Sequence, residues 1–341
     1  MATIGAVGSR IRSVLQEQVK MGGPASTGLG IQMIEHTARF RNIRNMATIL
    51  FAGLIVLVVS PGSAQELEPR AYRTMPTGLN AAVFAYAFST GNVVSEPSIP
   101  IQDLEADTHT FILGYLRSFG LFGRSASLTL TAPYVYMSAS ATLHGSFTAG
   151  ERTGWATPRA RLAVNLLGGP ALKPREFAQY KQRRNLGVSL TVAPPGGQYT
   201  SDHLINFGTN RWAAKPEIGY SSINGKWIFE AAAGIWFFTT NTDAPGGVTR
   251  RQDPIGNIQG HLTYNFKGGQ WLALSANYFT GGKSFIDGVE LDDLQQNSRV
   301  GLTLSLPLGR KQSIKLAAHT GAFTSIGADF DIATVTYQIL W

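Results

Sequence analysis

The sequence predicts an all-β fold: a transmembrane, antiparallel, up-and-down barrel of about twelve strands. Three observations carry that expectation. Past residue 64, apolar residues recur at every second position in short runs, the period of a strand with one greasy face. The connections between the runs alternate between short and long, as they do between the two rims of a membrane barrel. The chain also ends on Trp341, at the close of one such alternating series.

Composition agrees with a protein that meets lipid on one side and water on the other. Of 341 residues, 44% are hydrophobic and only 15% are charged, against about 25% charged in soluble domains. Glycine (38) and aromatics (10%) are plentiful, and there is no cysteine. That excludes a disulfide scaffold and a thiolate metal site. The net charge of +8 does not mark a nucleic-acid binder. Six basic residues (Arg10, Arg12, Lys20, Arg39, Arg41, Arg44) fall in the first 64, and the longest basic cluster beyond is Lys181, Arg183 and Arg184. A nucleic-acid surface concentrates its charge on one face; no nucleic-acid partner is expected.

Residues 39–64 carry the three parts of an export signal. Arg39, Arg41 and Arg44 form the positive region, Ala47 to Val59 an apolar stretch of 13 residues, and Pro61-Gly62-Ser63-Ala64 a helix break with small residues for cleavage. Thirteen residues are short of the roughly 20 that a spanning helix needs. The chain is therefore divided into residues 1–45, an extension plus the positive region; 46–64, the apolar region and cleavage site; and 65–341, the barrel. Met33 or Met46 is the expected true start. Export of a barrel implies the outer membrane of a Gram-negative cell, with outer-membrane lipid and the barrel-assembly machinery as partners.

Alternation places the strands at about 79–89, 107–119, 124–137, 155–167, 185–194, 211–223, 226–239, 254–266, 270–280, 298–308, 312–323 and 329–341. The clearest sets Val300, Leu302, Leu304, Leu306 and Leu308 against Arg299, Gly301, Thr303 and Ser305. Short turns are expected at Phe122-Gly123-Arg124, Asn224-Gly225-Lys226, Lys267-Gly268-Gly269 and Gly309-Arg310-Lys311, Asn-Gly being a strong hairpin signal. Long loops fall at about 90–106, 138–154, 195–210, 240–253 and 281–297. Two connections break the rhythm: 168–184 is long where a turn is expected, and 324–328 is short where a loop is expected. Tyr134, Tyr136, Trp155, Trp212, Trp227, Phe237, Trp271 and Tyr278 lie near strand ends, where aromatic girdles belong. In the last strand Trp341, Ile339 and Tyr337 share one face, the form of an assembly signal.

If the apolar face meets lipid, the alternate face lines the lumen, since only a closed barrel satisfies its backbone in hydrocarbon. Arg159, Arg161, Lys215, Glu217, Glu230, His261, Arg299, Lys315 and His319 then become the candidate pore-lining residues, with Asn165, Asn257, Gln259, Ser275 and Asn277. Arg159 and Arg161 either brace the barrel by pairing with Glu217 or Glu230, or form a constriction that selects solutes by charge. Twelve strands lie between the filled eight-stranded barrel and the open sixteen-stranded channel, so a narrow passage for small-molecule solutes is expected.

Several stretches carry a resemblance: Leu79-Asn80; Pro97 to Ile101; Thr131-Ala132-Pro133-Tyr134; Ala193-Pro194-Pro195-Gly196-Gly197-Gln198-Tyr199; Leu204 to Trp212; and Lys215-Pro216-Glu217-Ile218-Gly219. Together they resemble the outer-membrane transporter family associated with meta-pathway phenol degradation, over about 79–341. Pro194-Pro195 departs from the more usual Pro-Thr. The resemblance implies a barrel that carries hydrophobic or aromatic compounds across the outer membrane, and it carries over no catalytic residues. Within its most specific block, Asn206, Gly208, Asn210, Arg211 and Trp212 sit at a loop-to-strand junction. There Asn210 and Arg211 either orient a loop over the pore or form a rigid turn with Trp212 as an interface anchor.

Two other functions compete. An outer-membrane lipid hydrolase needs a nucleophile and a base; His144-Gly145-Ser146 is a close pair in a loop without a third group, and neither G-x-S-x-G nor H-E-x-x-H occurs. No enzyme activity, cofactor or metal is expected. A structural or adhesive barrel with ligand-binding loops is the alternative, with Asp287, Glu290, Asp292 and Asp293 making one loop acidic; their spacing is not that of an EF-hand.

Overall fold

The computed structural model describes residues 67–92, 102–143 and 146–341. The export signal, the Pro97–Ile101 stretch and His144 lie outside them, so the His144/Ser146 pair is not described. Among the described residues there are seventeen strands and one four-residue helix, and no helix is long and apolar enough to cross a membrane.

The first half of the chain forms β1 (Asn80–Asn92), β2 (Gln102–Leu121), β3 (Arg124–Leu143), β4 (Ser146–Trp155), β5 (Arg159–Leu167), helix α1 (Pro174–Phe177), β6 (Arg184–Ala193), β7 (Ala213–Asn224) and β8 (Trp227–Phe238). The second half forms β9 (Asn241–Ala244), β10 (Val248–Gln252), β11 (Ile255–Asn265), β12 (Trp271–Gly281), β13 (Ser284–Ile286), β14 (Val289–Glu290), β15 (Gln295–Pro307), β16 (Gln312–Thr324) and β17 (Asp329–Leu340). Twelve of these, β1, β2, β3, β5, β6, β7, β8, β11, β12, β15, β16 and β17, pair antiparallel with their neighbours in chain order. The ring closes where β1 meets β17, from Ala81 opposite Leu340 to Asn92 opposite Asp329. Closure removes the free edge that hydrocarbon would not tolerate.

The faces sort as alternation requires. Ile258 is 59% exposed and Leu302 49%, whereas inward-facing Arg299 is 2% exposed and Glu217 5%. This is an inside-out protein, with an apolar exterior and a polar interior, and it is a transmembrane barrel. Phe122 and Gly123 take φ values of 49° and 73°, and Gly225 takes 59°; such left-handed residues make the tight two-residue turns whose twist matches the strands.

Four features depart from the alternation reading. Trp155 ends β4, which pairs with the outer half of β3, while β5 begins at Arg159 and pairs with the inner half. The expected single strand from 155 is thus broken at Ala156-Thr157-Pro158. Trp212 lies just ahead of β7 and remains outward and half exposed. Trp271, expected at the lipid interface, faces inward and is buried, because it shares parity with Ala273, Ser275 and Asn277. The loops at 240–253 and 281–297 hold a four-stranded side sheet, β14-β13-β10-β9, too short to show a period. Three of the four acidic-loop carboxylates are engaged there: Asp287 accepts from the Thr249 N–H at 2.8 Å and Asp293 from the Ser284 N–H at 2.8 Å. Glu290 pairs with Lys283 and holds that ammonium above its ordinary range.

The long connection 168–184 has a structural reason. It carries α1, and it receives the chain ahead of β1: the Thr77 N–H donates to the Leu172 carbonyl at 2.8 Å, and the Thr74 N–H to Gln182 Oε1 at 3.1 Å.

Candidate functional site

Parity sends Arg161 of β5 and Lys215 and Glu217 of β7 to the interior, and the register sets Thr191 of β6 opposite both Arg161 and Lys215. The three charges therefore meet on adjacent rows. Lys215 Nζ lies 3.0 Å from Glu217 Oε2 and Arg161 Nη2 3.7 Å from Glu217 Oε1, with side-chain exposures of 8%, 17% and 2% for Lys215, Arg161 and Glu217. Gln259 of β11 adds a donor to Glu217 at 3.3 Å, and Lys215 stands 5.4 Å from the centre of the Trp236 ring. One carboxylate is the hub for two cations. Beside this hub the β7–β8 ladder skips Lys215 and Pro216, since Pro216 has no N–H to donate.

The stretch 67–79, ahead of the first strand, enters the same space from the short-turn rim. Tyr72 is buried; its hydroxyl donates to Glu217 Oε1 at 2.8 Å and lies 3.0 Å from Ser189 Oγ. Asn185 donates to its carbonyl, and the Arg161 guanidinium sits 5.0 Å from its ring centre. Burial, and then the Glu217 carboxylate, push the Tyr72 phenol up to about 12, so it keeps its proton. Two residues earlier, the Arg70 N–H donates to Glu230 Oε2 at 2.8 Å, and Arg70 Nη2 to Asn265 Oδ1 at 2.8 Å. The Arg70 guanidinium lies 4.9 Å from the centre of the inward Trp271 ring. Glu230 is thus engaged by the backbone of this segment, with the Arg70 guanidinium turned to Asn265 and Trp271.

The remaining candidates face inward without joining the hub. Arg159 shares parity with Arg161. Arg299 of β15 donates to the Phe330 carbonyl at 2.6 Å, and its guanidinium lies 3.9 Å from the Phe330 ring centre. His261 Nδ1 meets Ser275 Oγ at 2.8 Å. His319 lies against Gly301, where a Cβ would come within 2.2 Å of its ring. Lys315 is set opposite Ser305 and Thr336 on the inner face.

The motif block builds the mouth at the long-loop rim. Asn206 knots its loop, donating to the Thr200 and His203 carbonyls at 3.0 and 2.7 Å and accepting from Arg152 at 3.1 Å. The loop docks on the break between β4 and β5: the Thr157 N–H donates to the Phe207 carbonyl at 3.2 Å and the Gln198 N–H to the Trp155 carbonyl at 2.6 Å. Asn210 takes φ 48° and donates to Asn241 at 3.0 Å; Arg211 turns inward to Gln252 Oε1 at 2.6 Å and stacks 4.4 Å from the Phe238 ring centre. Ile205 and Phe207 then pack on an interior cluster of Ala106, Val135, Met137, Ala156, Phe330 and Ile332. A second cluster holds Ala193, Ala213, Trp236, Ile255 and Phe279. Between the loop and the first cluster is a cavity of about 300 Å³, floored by Leu104, Met137 and Ile205 and edged by Arg152, Asp202 and His203.

Gly208 is required at that docking point, because a Cβ there would sit 2.7 Å from the Gly196 carbonyl oxygen. Gly208→Val should detach the loop at a cost of about 1–3 kcal/mol, read as faster proteolysis of residues 195–210 in the folded barrel. Wild-type resistance in the variant would show that the close approach does not hold the loop.

Sequence reasoning found the inward charges and missed the segment that meets them. The available signal was Gly187 and Gly219, inward positions that face one another across β6 and β7, since glycine inside a strand marks a close approach.

The fold is matched by a known structure. An outer membrane channel from Pseudomonas putida F1 superposes with a TM-score of 0.65 at 20% identity, over 81% of this chain and all of that one. The β domain of the Bordetella autotransporter BrkA (TM-score 0.43, 12% identity, 78% and 99% covered) and the transport unit of the Escherichia coli autotransporter AIDA-I (0.45, 8%, 82% and 94%) are more distant. No curated protein sequence matches the chain. A family model does, over residues 87–324, well over half of the sequence. The chain belongs to the family described as the putative MetA-pathway of phenol degradation.

Proposed function

We propose that the protein is an outer-membrane channel for small, uncharged solutes, hydrophobic and aromatic ones among them. In that setting the short-turn rim is periplasmic and the long-loop rim extracellular. The observation that carries the reading is the asymmetry of the inner wall. Arg161, Lys215, Glu217 and Glu230 lie on β5, β7 and β8, bound to one another or to segment 67–79. Across the lumen, the described inward residues of β17, β1 and β2 are uncharged, including Ile332, Thr334, Ala85, Ala87, Ser89, Thr108, Thr110 and Ile112. A solute moving along that wall meets methyls and hydroxyls, with Phe330, Phe279 and Trp236 nearer the mouth. The cations nearest that wall are Arg299, engaged by the Phe330 carbonyl, and Lys315 on neighbouring β16; against the uncharged wall itself a charged solute gains nothing for its lost hydration.

The ion pairs support a bracing role for Arg161 over a charge-selecting constriction. The outward Trp341, Ile339 and Tyr337 support an assembly signal read by the barrel-assembly machinery.

Liposome swelling tests the reading. Benzyl alcohol and arabinose should enter proteoliposomes faster than benzoate and benzylamine, with little difference between the two ions. Entry of an ion ahead of the neutral solutes would defeat it, as would proteoliposomes no more permeable than empty ones.

A further inference from the structure

Charge is sorted between the two rims of the barrel. At the short-turn rim the connection 168–184 carries Lys173, Arg175, Lys181, Arg183 and Arg184, all exposed, and each of the four short turns has an exposed Lys or Arg in it or beside it. Among the described connections of this rim there is one carboxylate, Glu176, and it accepts from the Lys173 N–H at 2.8 Å. At the other rim the outward face carries exposed carboxylates, Glu105, Asp107, Glu151 and Asp331. Arg251 and Lys283 there are paired with Asp253 and Glu290.

The cations of the short-turn rim do not stand alone. Each turn sets an exposed apolar side chain close by in the chain: Phe122 near Arg124, Trp227 after Lys226, Phe266 before Lys267 and Leu308 before Arg310. Phe122 is 94% exposed at the tip of its turn. Trp227, Phe266 and Leu308 keep the outward parity of their strands. Lys226 leans the same way, with its ammonium 3.4 Å from the Tyr264 hydroxyl and 5.7 Å from the ring centre. On β6, Arg184 shares the outward face with Leu186, and Leu166 and Leu167 of β5 are exposed beside them. The register sets Arg184 opposite Ser222 of β7, a hydroxyl at the same level.

Pairs of this kind fit one class of partner. A cation at the end of an apolar wall meets a molecule with a negative head and a greasy tail. A soluble anionic polymer or an acidic protein would engage the cations and leave Phe122, Trp227 and Phe266 in water. Long basic side chains reach the head-group level from an apolar surface, and each one attracts an anionic leaflet.

We propose that the short-turn rim is a docking collar for anionic glycerophospholipid, strongest at the connection 168–184, where Arg184 continues the lipid-facing row of Leu186. The acyl chains lie on the leucines and aromatics of the outer wall, and the phosphodiester meets the ring of Lys and Arg beyond them. This needs the membrane-spanning fold and not the channel reading, since no step of it involves the lumen.

The test is native mass spectrometry of the protein in a neutral detergent, titrated with dioleoylphosphatidylglycerol or dioleoylphosphatidylcholine. The two lipids share acyl chains and a phosphodiester, and only the first has a net charge. Wild type should bind the phosphatidylglycerol at least roughly fivefold more tightly, the value of one Lys or Arg near an anionic leaflet. Added salt should shrink that preference. Replacing Lys173, Arg175, Lys181, Arg183 and Arg184 together by glutamine should remove most of it, in protein first shown folded by heat-dependent gel migration. Arg184→Gln alone, a single exposed change, should lower it several-fold. Arg251→Gln with Lys283→Gln, at the opposite rim, should leave it as in wild type, and sn-glycerol 3-phosphate in excess should not displace the lipid. Equal binding of the two lipids by wild type would overturn the collar. A preference that survives the five replacements, or Arg184→Gln where the five do not fold, would overturn its placement on this connection, as would its loss in the opposite-rim variant. Displacement by glycerol 3-phosphate would show a site for free phosphate in place of a lipid surface.

Discussion

Leu302→Arg is expected to destabilise the folded barrel in lipid by about 2–4 kcal/mol, the range for an arginine near the bilayer midplane. Leu302 sits in the middle of β15, between Leu274 of β12 and Ala318 of β16, and half of its surface is open to the outside. Leu272, Leu304 and Leu316 surround it on the same face. No carboxylate is near to pair with a guanidinium there. The control is Leu308→Arg, just past the end of β15 and 54% exposed, where the cost should fall to about 0–1 kcal/mol because the side chain reaches the interface. Reversible urea unfolding in vesicles of a thin-chain lipid gives both numbers. Equal costs at the two positions would mean that depth in hydrocarbon is not what the outer face experiences, and the transmembrane reading would fail.

The outer wall was legible because its rule is local. Every residue of a regular strand declares its face by parity, so Val300 to Leu308 could be assigned without knowing any partner. The rows of Arg161, Lys215 and Glu217 followed from the same rule. Three other parts were not legible, each for a reason. Residues 67–79 have no period, because a segment bound by scattered polar contacts needs none; Tyr72 reads as an ordinary aromatic until Gly187 and Gly219 are seen against its ring. Trp271 sits at a strand end, as girdle residues do, and only its parity with Ala273 and Ser275 shows that it turns inward to Arg70. The break at Ala156-Thr157-Pro158 is hidden because alternation resumes at once beyond it, although with its parity changed: outward Trp155 stands opposite Tyr134 and inward Arg159 opposite Thr131. Partner choice was the weakest inference of all. Glu230 and Glu217 were equivalent candidates for Arg161, and the register of β5, β6 and β7, which spacing alone does not fix, settled it on Glu217.

Glu217→Ala should be the most damaging change inside the barrel, lowering stability by about 3–5 kcal/mol, as removal of one member of a buried ion pair does. The carboxylate holds Lys215 at 3.0 Å and Arg161 at 3.7 Å, and it accepts from Tyr72 and Gln259. Alanine would leave two cations facing each other across a gap with no acceptor between them. Glu217→Gln should cost less, since an amide oxygen still accepts from Tyr72, though both cations still lose their countercharge. The decisive measurement is a double-mutant cycle. Lys215→Ala in the Glu217→Ala background should recover part of the loss, because it removes one of the stranded charges; in a wild-type background the same change should be destabilising. Coupling of that sign identifies the cluster as a brace between β5 and β7. If the two losses simply add, Glu217 and Lys215 act independently, and the charges are free to serve the passing solute instead of the wall.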